Sequence, residues 1–205
     1  MSDIKTTCSC SVNGHEYVDL GLQSGTLWAT CNVGAIQPAD YGDYFAWGET
    51  LPKDSYSWNT YKWTNDGGES FTKYTFAGDV TLSSSDDAAT QNWGRRWRMP
   101  TFEEILELMS GCNWTWVNNF EGSGVSGRIG TSKKNGNKIF LPASGYRCGT
   151  GLYYDDGNGY YWSSSLYACD SRYVCSLYFD SVSIARSDRY RSSGRSVRAV
   201  VCEII

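Results

Sequence analysis

Residues 160–193 read YYWSSSLYACDSRYVCSLYFDSVSIARSDRYRSS. Tyr160 through Ser165 begin an aromatic and small-residue run that suits a buried strand. Leu177 and Phe179 then alternate with Ser176, Tyr178 and Asp180, so one face of a second strand meets a core and the other is left free. From Leu166 to Ser193 there is no Lys, Glu, Gln, Met, Trp or Asn, although all six occur upstream. These types make up roughly a quarter of ordinary protein. Tyr, Ser, Arg, Asp and Cys take their place, close to the alphabet of a paratope: rigid Tyr, adaptable Ser and anchoring Arg.

The rest of the chain supplies a frame for these strands. Its 205 residues fit one sizeable domain, with 40% hydrophobic and 20% charged residues, 9 Trp, 15 Tyr and 22 Gly. The residues predict an arm over 1–14 and one domain over 15–205, with a surface segment at 166–193. Val18, Leu20 and Leu22, followed by Leu27-Trp28-Ala29 after a Ser-Gly turn, predict a two-stranded hairpin. Pro38 to Gly42 is a turn, and Tyr44 to Gly48 a buried apolar run. Residues 50–92 are polar with scattered Trp58, Trp63, Phe71, Tyr74 and Phe76, a long insertion pinned by its aromatics. Thr101 and Glu104 form a capping box for a helix whose Phe102, Ile105, Leu108 and Met109 share one face and which Gly111 ends. Glu103, Glu104 and Glu107 then serve capping and a solvated face rather than catalysis. Asn135-Gly136 turns into the strand Lys138 to Leu141, and Ser196 to Val201 is a closing strand.

Several function classes are set aside. A net charge of −4 leaves no basic footprint for nucleic acid. No apolar run is long enough to span a membrane, and the N-terminus has no apolar signal core. The eight cysteines are irregularly spaced and contain no CxxC, so mostly free thiols are expected, with Cys8-Ser9-Cys10 in a tail. The lone His15 gives zinc little to bind, and Asp155-Asp156-Gly157-Asn158-Gly159 is a turn without the spaced acids of a calcium loop. No metal, cofactor or catalytic residue is expected.

Separated blocks carry a family resemblance. They are Val18 to Leu22 with Trp28 to Ala35, Tyr41 to Glu49, Arg98 to Thr101, Leu141 to Arg147, Tyr161 to Ser165 and Gly194 to Val200. Together they resemble the Fibrobacter-type major paralogous domain common in gut Bacteroidales, over nearly the whole chain after residue 16. That family is related to the C-type lectin and formylglycine-generating enzyme folds. The resemblance implies an α+β, C-type lectin-like fold with small twisted antiparallel sheets, about two helices and long loops.

The resemblance also implies a source for the odd composition. The C-terminal block of this family is a target of diversity-generating retroelements, in which template adenines are mutated. Asn codons then become other codons ending in a pyrimidine, which never encode Lys, Glu, Gln, Met or Trp. By this likeness Leu166, Leu177, Phe179, Ser181, Gly194, Ser196, Val197 and Arg198 occupy fixed positions. The variable, ligand-binding positions are Tyr167, Cys169, Asp170, Ser171, Arg172, Tyr173, Cys175, Ser176, Tyr178, Asp180, Ser183, Arg186, Ser187, Asp188, Arg189 and Tyr190, all expected to point outward. The implied function is a receptor- or adhesin-type protein, on a phage particle or bacterial surface, that binds a protein or glycan on a cell surface; oligomeric state is left open. The alternatives are a fixed-specificity adhesin, a calcium-dependent lectin (Trp58-Asn59 falls one residue short of a Trp-Asn-Asp sugar motif), and an oxidase using Cys169 and Cys175.

Overall fold

The structure, a computed structural model, describes residues 10–201. In chain order the strands and helices are β1 (Ser11–Val12), β2 (His15–Asp19), β3 (Leu27–Ala29), α1 (Ala88–Trp93), β4 (Trp97–Arg98), α2 (Phe102–Gly111), β5 (Cys112–Val117), β6 (Gly127–Ser132), β7 (Lys138–Pro142), β8 (Ser144–Cys148), β9 (Gly151–Asp155), β10 (Gly159–Leu166), β11 (Tyr173–Phe179), β12 (Ile184–Tyr190) and β13 (Val200–Val201). They form three sheets, ordered β1-β2-β3-β13-β4, β12-β11-β10-β8-β9 and β5-β6-β7. Pairing is antiparallel except where β10 meets β8 at Gly159 and Gly145. The chain is thus mostly β with two helices.

The first hairpin follows its alternation, with Val18 opposite Trp28. Val200 pairs Trp28 on one side and Arg98 on the other, so the end of the chain closes the sheet built by its beginning. Strand geometry covers only Val200–Val201 of the expected closing strand, although residues 196–201 are all buried. Residues 1–9 of the expected arm lie outside the described residues. Its remainder is not an arm: Asn13 and Gly14, at φ of 51° and 81°, turn Ser11–Val12 back onto β2, and Val12 joins the core. Asn-Gly favours that tight reversal because both residues tolerate positive φ.

Helix α2 has its predicted capping box, with Thr101 Oγ1 accepting from Glu104 N–H and Glu104 accepting from Thr101 N–H. Phe102, Ile105 and Leu108 are buried against Leu20, Trp28, Tyr161, Leu177 and Phe179. Glu104 also binds Arg98 at 2.5 Å, so its role is structural. Gly111 is the last helical residue rather than the cap. Several elements escaped the sequence reading, α1 and β5 among them. Asp87 caps the short helix α1 by accepting from Thr90 N–H. Strand β5 runs antiparallel to β6, whose own hairpin to β7 turns at the predicted Asn135-Gly136.

Of the insertion's five expected aromatic pins only Tyr74 is buried; Trp58, Trp63 and Phe71 are half-buried and Phe76 is exposed, while Tyr56 and Tyr61 do the rest of the anchoring. Tyr56, Tyr61 and Tyr74 are buried, and Tyr61 Oη donates to Trp47 O at 2.7 Å. No helix among the described residues is long and apolar enough to cross a membrane.

Candidate functional site

Strands β10, β11 and β12 carry the segment of unusual composition. Leu177 and Phe179 of β11 lie opposite Tyr161 and Gly159 of β10. A Cβ on Gly159 would lie 2.1 Å from the Phe179 ring, so the strands pack with only hydrogen between them. On its other side β11 pairs β12 throughout, from Tyr173 opposite Tyr190 to Phe179 opposite Ile184. Strand β12 is one edge of the sheet and β9 the other. Its Arg186, Asp188 and Arg189 are the kind of charged residues that blunt an edge against pairing with other chains.

The expected fixed positions are mostly interior: Leu166, Leu177, Phe179, Ser196, Val197 and Arg198 are buried, whereas Ser181 is exposed. Of the expected binding positions, Cys169, Arg172, Ser183, Arg186, Arg189 and Tyr190 are exposed. Tyr167, Asp170, Tyr173, Tyr178, Asp180, Ser187 and Asp188 are half-buried.

Three expected positions are corrected by the structure. Ser171, Cys175 and Ser176 are 8%, 7% and 0% exposed. Cys175 lies two residues before Leu177 and so shares its core face, as a period of two requires. Its thiol is pushed up to about 11 by burial, away from the thiolate that a nucleophile needs. Ser176 lies in the central strand of three, opposite Trp162 and Ser187, and donates from Oγ to Ser187 O at 2.6 Å. Ser171 accepts at Oγ from Phe76 N–H, 3.0 Å, which ties the turn before β11 to the insertion.

The remaining positions do not form one outward face. Alternation along β12 divides them into patches on opposite sides of the sheet. Arg186 and Asp188 lie on the Leu177 side, 3.1 Å apart. There the Arg186 guanidinium sits 5.1 Å from the Phe102 ring and 5.2 Å from the Tyr167 ring. Arg189 lies on the Tyr178 side, 5.6 Å from the Tyr160 ring. Tyr178 Oη donates to Asp180 at 2.7 Å. That bond pushes the Tyr178 hydroxyl up to about 12 and draws the Asp180 carboxyl down to about 2. Asp180 also accepts from the N–H groups of Val182 and Ser183, so it organises the β11–β12 turn.

A third patch faces the insertion. Cys169, Asp170 and Arg172 form one wall of an open groove of about 550 Å³, and Glu69, Phe71 and Phe76 stand on the other wall. Arg172 and Asp170 pair at 2.6 Å, which holds the Asp170 carboxyl below its ordinary range. Tyr173 stacks on Tyr190 with centroids 4.8 Å apart, and Trp58 meets Tyr190 edge-on at 5.5 Å. The sequence reading left the insertion's role open; the structure sets Trp58, Phe71 and Phe76 beside the variable positions.

Arg191, which the sequence reading did not single out, joins these parts. Its buried guanidinium donates to Tyr61 Oη (2.6 Å), Tyr74 O (2.8 Å), Lys73 O (3.0 Å) and Ser171 O (3.1 Å). The Trp47, Tyr61 and Phe71 rings surround it at 5.0, 5.2 and 4.5 Å. Nothing in the local pattern separates it from exposed Arg172 or Arg189; its partners in the insertion lie more than a hundred residues away. Cys31, Cys112, Cys148, Cys169 and Cys175 are free thiols, and among the described residues no group of three or more His, Cys, Asp or Glu could hold a metal ion.

No protein-family model matches the chain, and neither the curated proteins nor the solved structures give a match.

Proposed function

We propose that this chain is a ligand-binding protein with a C-type lectin-like fold, related to the Fibrobacter-type major paralogous domain. Its surface around residues 167–190 is diversified by a retroelement to bind variable protein or glycan targets, displayed on a phage particle or bacterial surface. The observation that carries this reading is a match between two independent orderings. The segment depleted of five codon-forbidden residue types forms β11, the edge strand β12 and their turns; thirteen of its sixteen expected binding positions are exposed or half-buried, while nearly all the positions expected to stay constant are core. A fold tolerates side-chain replacement where solvent takes up the change, and resists it where even a methylene must be packed.

The buried exceptions fit the same scheme. Ser171, Cys175 and Ser176 carry small side chains from the permitted alphabet, as packing would select among folded variants. Tyr167, Tyr173 and Tyr190 offer aromatic anchors, and Arg172, Arg186 and Arg189 offer guanidinium forks. Phe71 and Phe76 of the insertion supply a second wall, and Trp58 packs edge-on against Tyr190.

Sequencing the DNA around the gene tests the reading. An adjacent near-copy of this segment with Asn codons at the variable positions, beside a reverse transcriptase, is the expected result. A neighbourhood without either refutes diversification and leaves an adhesin of fixed specificity.

A further inference from the structure

The variable segment ends a row of tyrosines that begins far outside it. Tyr153 lies opposite Tyr146 on β9 and β8, and Tyr178 lies opposite Tyr160 on β11 and β10. The bridge between Gly145 and Gly159 brings the two pairs side by side. Ring centroids step 5.8 Å from Tyr153 to Tyr146, 5.3 Å to Tyr160 and 5.1 Å to Tyr178. Tyr154 adds a ring 6.1 Å from Tyr146, inclined by 22°.

Successive strand residues ordinarily point to opposite faces. Tyr154 has a φ of 57°, and this left-handed backbone lets Tyr153 and Tyr154 address the same ring. A non-glycine residue adopts that conformation only against its steric preference, and such strain concentrates at functional sites. Gly145 opposite is also left-handed at φ 62°, and a Cβ there would lie 2.2 Å from Tyr153 O. Tyr153 and Tyr154 are nonetheless 48% and 63% exposed.

Arg195 lies under this row, 2% exposed, with its guanidinium 4.7 Å from the Tyr160 ring, 4.8 Å from Trp162 and 5.2 Å from Tyr146. Its Nε and Nη1 have no hydrogen-bond partner. Burial, with the nearby charge of Arg189, pushes its pKa down to about 9. Arg189 stands above, exposed, beside the Tyr160 ring. The acid of this patch, Asp180, is already occupied by Tyr178 and the turn backbone. Two cations and one engaged carboxylate thus contact these rings, on a chain whose net charge is −4, and the exposed Asp155 and Asp156 follow Tyr154 in the chain.

We propose that the tyrosine row is a docking platform for an acidic saccharide, with sugar rings stacked on Tyr146, Tyr153 and Tyr154 and the carboxylate drawn to Arg189 above the field of Arg195. Ring faces with hydroxyl rims suit the C–H faces and hydroxyls of a sugar, and a guanidinium suits a carboxylate. The row starts on the edge strand β9 and runs across β8 and β10 to β11, at right angles to the path that a peptide added along that edge would follow. The stacking platform does not rest on diversification, since Tyr146, Tyr153, Tyr154, Tyr160 and Arg195 all lie outside 166–193; Tyr178 and Arg189 lie inside it, so under that reading the carboxylate contact belongs to this variant.

The test titrates the full chain calorimetrically with oligogalacturonate and sialyllactose, each against its uncharged counterpart (the methyl ester and lactose), and with polyglutamate. Expected is binding of an acidic saccharide, about tenfold or more weaker binding of its neutral partner, and about tenfold losses in Tyr154→Ala and in Arg189→Gln at unchanged melting temperature. Absence of binding to both acidic saccharides overturns the proposal, as do equal binding of the neutral partners and binding untouched by Tyr154→Ala. Tighter binding of polyglutamate than of either saccharide also overturns it and assigns the row to acidic peptides. A gene neighbourhood without a retroelement leaves all these outcomes unchanged, so the two readings fail separately.

Discussion

Replacing Arg191 by Met removes four hydrogen bonds while keeping a long side chain among Trp47, Tyr61 and Phe71. A hydrogen bond from a charged donor contributes about 1.5–3 kcal/mol, and a stranded buried acceptor costs about 1–3 kcal/mol. These do not simply add. Burial already destabilises the Arg191 charge, as its lowered pKa shows, and the thioether recovers part of the packing. Breaking a buried charged network of this kind costs about 3–5 kcal/mol. For a domain of this size that corresponds to a drop in Tm of roughly 6–20 °C. Urea denaturation gives the free energy, and native-state hydrogen exchange gives its location. The carbonyls of Lys73, Tyr74 and Ser171 lose their shared donor, so exchange is expected to rise around residues 71–76 and 169–172. A loss below about 1 kcal/mol with unchanged exchange there would refute the claim that Arg191 clamps the insertion to the variable turn.

Gly159→Ala drives a methyl into the Phe179 ring and is expected to cost about 1–3 kcal/mol, the range for overpacked cores, by chemical denaturation. The Asp180 carboxyl is drawn down to about 2 from an unfolded value near about 3.9. Its contribution is present in full above pH about 4 and lost as pH falls through about 2. Melting curves of wild type and Asp180→Asn should therefore converge over that window and differ by a constant amount from pH 5 to 7; parallel curves would contradict the Asp180 turn.

Much of the frame was legible because its signals are local. Thr101 and Glu104 sit three residues apart and mark the start of α2, and Asn135-Gly136 marks one hairpin. Leu177 and Phe179 display their buried face by alternation alone. The errors have equally definite causes. Composition grouped Cys175 with its exposed neighbours, whereas the period of two already assigned it to the side of Leu177. Ser176 alternates away from that side, yet β10 and β12 flank it and its hydroxyl is used internally. The division of the binding positions between two sheet faces follows from alternation along β12, a strand whose pairing with β11 the residues alone did not display. Arg191 and the tyrosine row depend on contacts between distant segments, and no local spacing encodes them.

The central claim is that one constant fold carries a replaceable surface. Its most direct measurement is the fraction of folded members in two displayed libraries, scored by resistance to protease. One library randomises Cys169, Arg172, Ser183, Arg186, Arg189 and Tyr190; the other randomises Ser171, Cys175 and Ser176. The account predicts that most members of the first stay folded, since exposed substitutions usually cost within about 0.5 kcal/mol, and that survivors of the second keep small residues. Equal tolerance in both libraries, or general loss of folding in the first, would contradict it.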